Sequence, residues 1–298
     1  MFKRTFWLVV LVVALTSPQL HAQSPFGLNA NAKDGEIGLT AGVTGYQGDL
    51  AEQAISLDHA FGGGGLFFRY HMNKRHALRF FGNIMVINGE DSKINTEEGQ
   101  LARSVPFRNQ MTELGVTYQF NLLPFIGGVP RYAFGPYLFA GAAYLAHNPE
   151  GELFDTWYEL EPIQTEGAGY NTNTFAIPYG VGINYSLGRS LINIGVELSH
   201  RFTFTDRLDD VSDTHSEALT ELASGSGRLG GAVKRQLILS APSVLEDYPQ
   251  ASQLSDIPDE AVREAARQKA GNPRGNPERN DAYWYLGFTV SKSIRRMF

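Results

Sequence analysis

Between Phe175 and Phe204 large apolar residues alternate with small or polar ones almost without a break, and this two-residue period leaves few folds open. Phe175, Ile177, Tyr179, Val181, Ile183, Tyr185 and Leu187 share one parity, against Ala176, Pro178, Gly180, Gly182, Asn184 and Ser186. After Gly188, Arg189 and Ser190 the pattern resumes, with Ile192, Ile194, Val196, Leu198, His200, Phe202 and Phe204 against Asn193, Gly195, Glu197, Ser199, Arg201, Thr203 and Thr205. Successive strand side chains point to opposite faces, so the stretch predicts a tight hairpin with one greasy face and one small, polar face.

The same period runs through other segments. Ile37, Leu39, Ala41 and Val43 alternate with Glu36, Gly38, Thr40, Gly42 and Thr44. Leu66, Phe68 and Tyr70 lead through residues 71–74 to Leu78, Phe80, Ile84 and Val86, with Arg69, Arg79 and Asn83 on the other parity. Leu114, Val116, Tyr118, Phe120 and Leu122 oppose Glu113, Gly115, Thr117 and Gln119. Near the end, Trp284, Leu286, Phe288, Val290 and Ile294 oppose Tyr283, Tyr285, Gly287, Thr289, Ser291 and Ser293. Residues 132–146 form an eighth strand whose facing the pattern leaves open.

Eight strands are thus expected, and their connections alternate in length. Residues 72–75, 121–131 and 188–190 are short, whereas 48–62, 90–106, 148–173 and 206–280 are long. Short turns at one end and long loops at the other predict an all-β, eight-stranded antiparallel transmembrane barrel, with short periplasmic turns, long extracellular loops and both termini periplasmic. The terminal Phe298 is in keeping with the closing strand of a bacterial outer-membrane barrel.

Alternation alone does not say which face is outside, and a soluble barrel would turn its large residues inward around a ligand. The charges decide between the two. Arg69, Arg79, Glu113, Glu197 and Arg201 all fall on the small, polar parity, where they are costly in lipid but able to pair within a lumen. Eight strands enclose only enough room for side chains, so this network predicts a plug rather than a pore.

The first residues fit an outer-membrane destination. Lys3 and Arg4 precede an apolar run at 6–15 that is short for a membrane span, and His21 and Ala22 lie before Gln23 as at a processing site. Residues 1–22 are expected to be a signal peptide and 23–298 the mature barrel. A net charge of -6 argues against a nucleic-acid partner, and the absence of cysteine excludes thiol catalysis, thiolate metal sites and disulfides.

Candidate chemistry is sparse. Asp206, Asp209, Asp210 and Asp213 cluster in the last long loop, and oxygen-rich loops can hold calcium, but EF-hand spacing and its central glycine are missing and a solvated loop accounts for them better. Ser199 and His200 are adjacent on a strand, point to opposite faces and cannot form a nucleophile–base pair. Gly62–Gly65 lacks the lysine and helix of a phosphate loop. No catalytic residue, cofactor or firm metal site is expected. Residues 259–270, introduced by Pro258 and ended by Gly271, predict a helix inside the longest loop.

Several phrases carry a family resemblance. They are Gly48-Asp49-Leu50, Phe68-Arg69-Tyr70, Thr165-Glu166-Gly167, Phe204 to Ser212 (FTDRLDDVS), Gly275-Asn276-Pro277 and Asp281-Ala282-Tyr283. In order and spacing the chain resembles the PorG-like (DUF6089) outer-membrane barrels of Bacteroidota. The resemblance implies a non-enzymatic outer-membrane component, embedded in outer-membrane lipid and associated with the periplasmic ring proteins of a type IX secretion apparatus. It brings no catalytic residues. A surface-exposed adhesin or receptor acting through the long loops is the other reading.

Overall fold

The computed structural model describes residues 35–47, 61–89, 107–163, 169–188, 190–210, 221, 223–224, 228–241, 244–269 and 280–294. The expected signal peptide, Asp213, residues 271–277, Phe298 and the phrases at 48–50, 165–167 and 211–212 lie outside them. The described strands are β1 (Gly35–Gln47), β2 (Phe61–His71), β3 (His76–Gly89), β4 (Phe107–Asn121), β5 (Phe134–Leu153), β6 (Thr156–Glu159), β7 (Asn173–Ser186), β8 (Ile192–Thr203) and β9 (Ala282–Ile294). Helices α1 (Gly231–Ser240), α2 (Val244–Asp247) and α3 (Asp259–Lys269) lie between β8 and β9.

Hydrogen bonding runs β4-β3-β2-β1-β9-β8-β7-β5, and β5 pairs back with β4. Each of these pairings is antiparallel, so eight strands close a barrel with no free edge. The ninth strand, β6, pairs only with the far end of β5 and stands outside the ring. The loop expected to begin at 148 therefore starts as a continuation of β5 to Leu153, which turns back through Phe154 and Asp155, both at positive φ.

Alternation becomes orientation here. Leu39, Leu114, Phe175 and Phe288 are 58–62% exposed on the outside, while Glu36, Arg69 and Glu113 have no exposed surface inside. A protein in water seldom presents a contiguous apolar patch beyond a few hundred Å². An apolar exterior on every barrel strand, with charges inside, is the arrangement hydrocarbon requires. Strands of 11 to 20 residues also meet the roughly 9–11 that a tilted strand needs to cross a bilayer. Among the described residues no helix is long and apolar enough to do so. Tyr118, Phe134 and Tyr185 are exposed near the short turns, and Tyr144, Phe175 and Phe202 towards the long loops, as two aromatic girdles would be.

Strand β5, whose facing the sequence left open, turns Phe134, Leu138 and Tyr144 outward and Tyr137, Phe139 and Leu145 inward. Both faces are apolar because the lumen has apolar layers of its own, one formed by Phe67, Phe81, Ala143 and Ala176. Trp284 has the outward parity yet is buried, since its indole covers Gly45, its register partner on β1, where any side chain would collide with the ring. The four glycines at 62–65 belong to β2 and pair with Val43 to Thr40. Gly188, at φ 59°, turns the β7–β8 hairpin.

A second apolar core lies beyond the barrel. Leu237, Ile238 and Leu239 of α1, Val244 of α2, Ile257, and Val262 and Ala266 of α3 are buried together with Leu153 and Leu160 from the β5–β6 region. The helices thus form a lobe docked on the β5–β6 hairpin, reinforced by Arg235 stacked 4.3 Å from the Tyr158 ring centroid.

Candidate functional site: the lumen and its two closures

The polar parity of the strands converges in the lumen as a set of ion pairs. Arg69 donates to Glu36 at 2.9 Å, and the same carboxylate accepts from His71 Nε2 at 2.9 Å and from Ser291. Arg79 donates to Glu197, which also accepts from the Tyr137 hydroxyl at 2.9 Å. Arg201 lies 3.5 Å from Glu113, a carboxylate that accepts from Asn83 at 3.0 Å, and Arg201 donates to Ser199 as well. Aromatic faces fill the remaining space: Arg79 stacks 4.4 Å from Phe67, Arg69 5.0 Å from Phe67, and Arg201 5.1 Å from Tyr285. Each of these three arginines has a carboxylate partner and aromatic faces around it, which is what makes burial tolerable.

At the short-turn end the β4–β5 connection folds into the mouth. Its Phe125 is buried, with its ring 6.4 Å from the His71 ring and its amide bonded to the Lys74 carbonyl at 2.9 Å. Gly135 leaves room for the Phe125 ring, and Gly127 is pressed against Asn193 and Ser293, where a Cβ would collide with both. The Gly128 amide donates to Ser186. Asn193 in turn donates to Ser293 at 3.1 Å, tying β8 to β9 beside the turn.

The opposite end closes differently. Leu208 is fully buried against Tyr46, Met85, Ile87, Phe107, Met111, Leu145, Tyr283 and Tyr285, so the start of the longest loop acts as an apolar cork. Asn109 holds it through the Leu208 carbonyl at 2.6 Å. Beside it the Tyr46 hydroxyl lies 2.6 Å from Asp281 and 2.9 Å from Asp209, and Asp281 also accepts the Leu208 amide at 2.9 Å. Burial, with the Asp209 carboxylate next in effect, pushes the Asp281 carboxyl well above the usual carboxylate range.

The profile of the family described as Domain of unknown function (DUF6089) matches residues 23–227, more than half of the chain. The chain belongs to the DUF6089 family. No curated protein matches the sequence of this DUF6089 member. Among solved structures the DUF6089 chain is similar to Neisserial surface protein A, at 9% identity over 87% of this chain and 97% of that one, with a TM-score of 0.38. Ail of Yersinia pestis is similar at 9% identity over 87% and 99%, with a TM-score of 0.34. OprG from Pseudomonas aeruginosa is similar at 10% identity over 88% and 98%, with a TM-score of 0.34.

Of the residues singled out in this DUF6089 sequence, Arg69, Arg79, Glu113, Glu197 and Arg201 all point into the lumen. Glu36 and His71 complete their network and were not among them. Glu36 stood on the polar parity of the first strand, which was the available signal; His71 closes β2 beside the turn, where alternation no longer labels a face. Of the described loop acids, Asp206 and Asp209 lie near Asp281 whereas Asp210 turns to Tyr170. Asp209 faces Tyr46, Asp210 accepts from Tyr170 at 2.8 Å, and Asp206 is buried near Asp281. Among the described residues no group of three or more His, Asp or Glu is placed to hold a metal ion. Ser199 points inward and His200 outward, the latter to Gln47 across β9 and β1.

Proposed function

We propose that this DUF6089 barrel is a sealed outer-membrane anchor, a non-enzymatic component of a type IX protein secretion apparatus, with both termini in the periplasm. The observation that carries the reading is a lumen occupied from end to end: Phe125 at one mouth, paired charges in the middle and Leu208 at the other mouth. A barrel so filled leaves no passage for a solute, and its work falls to the surfaces it presents. The ordered phrases resembling PorG-like proteins support the secretion assignment. On this reading the Leu122–Arg131 turn, with its exposed Leu123 and Pro130, is the surface on which ring proteins of the apparatus would dock.

The experiment is affinity purification of the full chain from native membranes in mild detergent. Recovery of periplasmic ring proteins supports the assignment; their absence under conditions that preserve the ring overturns it. One observation favours a second reading as an adhesin or receptor, namely that the α1–α3 lobe has its own apolar core and is more than a connection. Under that reading, deleting 215–270 abolishes surface binding while secretion continues.

A further inference from the structure

We infer that the short-turn rim of the barrel is a collar for the headgroups of anionic glycerophospholipids, an inference that rests on the membrane-spanning reading above. Lys74 and Arg75 in the β2–β3 turn, Arg131 in the β4–β5 connection and Lys292 near the end of β9 are all exposed. Among the described residues this rim has no exposed acid: Glu36 lies there but is buried on Arg69 and His71. The other end of the molecule is different in kind, with the acids Asp155, Glu159, Asp247 and Glu260 exposed there alongside Arg228 and Arg267.

Lys292 decides what the collar meets. It has the outward parity of β9, between Val290 and Ile294, which are 55% and 46% exposed, and its register partners are the exposed Ile37 and Ile192. An ammonium standing in an apolar wall, two residues from the end of its strand, lies along hydrocarbon and reaches its charge out to the headgroup level. A protein in the aqueous compartment would not approach from that side. The other cations sit in the same setting. Lys74 and Arg131 lie 5.0 and 5.8 Å from the face of Tyr132, and Arg75 is held to the Leu122 carbonyl at 2.8 Å beside the exposed Leu122 and Leu123. Cations, an aromatic ring and bare leucines together make an interfacial anchor, and each basic residue near an anionic surface contributes roughly a fivefold preference.

The test uses the full chain refolded in detergent with equal trace amounts of chain-matched phosphatidylglycerol and phosphatidylcholine, the retained lipid being counted by native mass spectrometry. The wild type should retain phosphatidylglycerol at least tenfold over phosphatidylcholine, less so as salt rises. Lys74→Gln/Arg75→Gln/Arg131→Gln/Lys292→Gln should bring the ratio near one while keeping heat-modifiable gel migration. Should the fourfold variant fail to fold, Lys292→Gln alone should lower the ratio about fivefold. Arg228→Gln in the distant lobe should leave it unchanged. Equal retention by a heat-modifiable, surfactant-requiring wild type overturns the collar and leaves the barrel standing. So does a preference that survives the fourfold substitution, or one erased by millimolar inorganic phosphate, which would indicate a free-anion site. A chain that folds without surfactant overturns both readings.

Discussion

Arg79 of β3 and Glu197 of β8 form an ion pair across the full width of the lumen, from strands with three others between them on either side of the ring. Arg201 of β8 and Glu113 of β4 form a second crosswise link, whereas Arg69 and Glu36 join the neighbouring β2 and β1. Backbone pairing fixes each strand only to its two neighbours. The crosswise links fix opposite walls, and so make the cross-section of the barrel a property of its side chains.

Removing one end of such a link should cost more than removing both. Glu197→Ala leaves Arg79 with an uncompensated buried charge, for which about 3–5 kcal/mol of destabilisation is expected. Replacing the pair together by Arg79→Met/Glu197→Leu should recover most of that loss, because desolvation of both ions is relieved at once. Urea unfolding in lipid vesicles measures both; a double variant no better than the single would show that the pair does not act as a unit.

The filled lumen carries its own expectation. In planar bilayers the wild-type barrel should insert without stepwise conductance, since an eight-stranded ring has room only for side chains and these are in place. Regular unitary steps from purified, folded protein would contradict the seal. Phe125→Ala should stay silent too, because Leu208 and the ion pairs still close the passage above it.

How much of this was legible in the sequence follows from the length of the period. Where large and small residues alternate over a dozen positions, as from Phe175 to Leu187, facing could be read directly and the charges on the opposite parity located the lumen. In β5 the signal vanished, because Tyr137, Phe139 and Leu145 put large side chains on the lumen face as well, Leu145 in the apolar layer around Leu208 and Tyr137 reaching Glu197 with its hydroxyl. Leu208 could not be recognised as a cork: a single leucine among aspartates has no periodicity, and its burial depends on Met85, Phe107 and Tyr283 brought from three distant strands. The lobe was glimpsed only as one helix at 259–270, since its core is shared with residues of the β5–β6 hairpin a hundred positions away.

The Tyr46 hydroxyl has one hydrogen and two carboxylates within bonding distance, so both contacts are satisfied when one carboxyl is itself protonated and donates to the phenol oxygen. Asp281 is raised above its unfolded value, by burial first and then by the charges of Asp209 and Asp206. The folded state therefore binds more protons than the unfolded state above about pH 4, and stability from this contact is present in acid and falls as pH rises through the raised value. Hydrogen exchange at residues 204–210 should be slower at pH 5 than at pH 8, and Asp281→Asn should flatten that difference. An exchange rate that falls with rising pH, once intrinsic exchange is corrected, would reverse the sign and refute the assignment.

The lobe should respond to acid in the opposite sense. Lys234 of α1 is buried and donates to Asp259, the first residue of α3, at 2.7 Å, as well as to the Ile257 carbonyl; the second Asp259 oxygen accepts the Leu229 amide at 2.9 Å. These hydrogen bonds, the one from Lys234 foremost, hold the Asp259 carboxyl below its ordinary value. A depressed carboxyl stabilises at pH above its unfolded value, and that contribution is lost as pH falls through the folded one. The clamp between α1 and α3 is therefore intact at pH 5 and is released only as pH falls below the ordinary carboxylate value to the depressed one. Asp259→Ala should mimic the acid state at neutral pH, costing about 1–3 kcal/mol through the loss of a charge-assisted bond to a buried ammonium. The loss should be local, since the lobe core of Leu237, Ile238 and Val262 is a cluster distinct from the one around Leu208 in the barrel mouth. Limited proteolysis should then cut within 228–269 while the barrel keeps its heat-modifiable migration, and a variant whose barrel unfolds together with the lobe would show the two to be one cooperative unit.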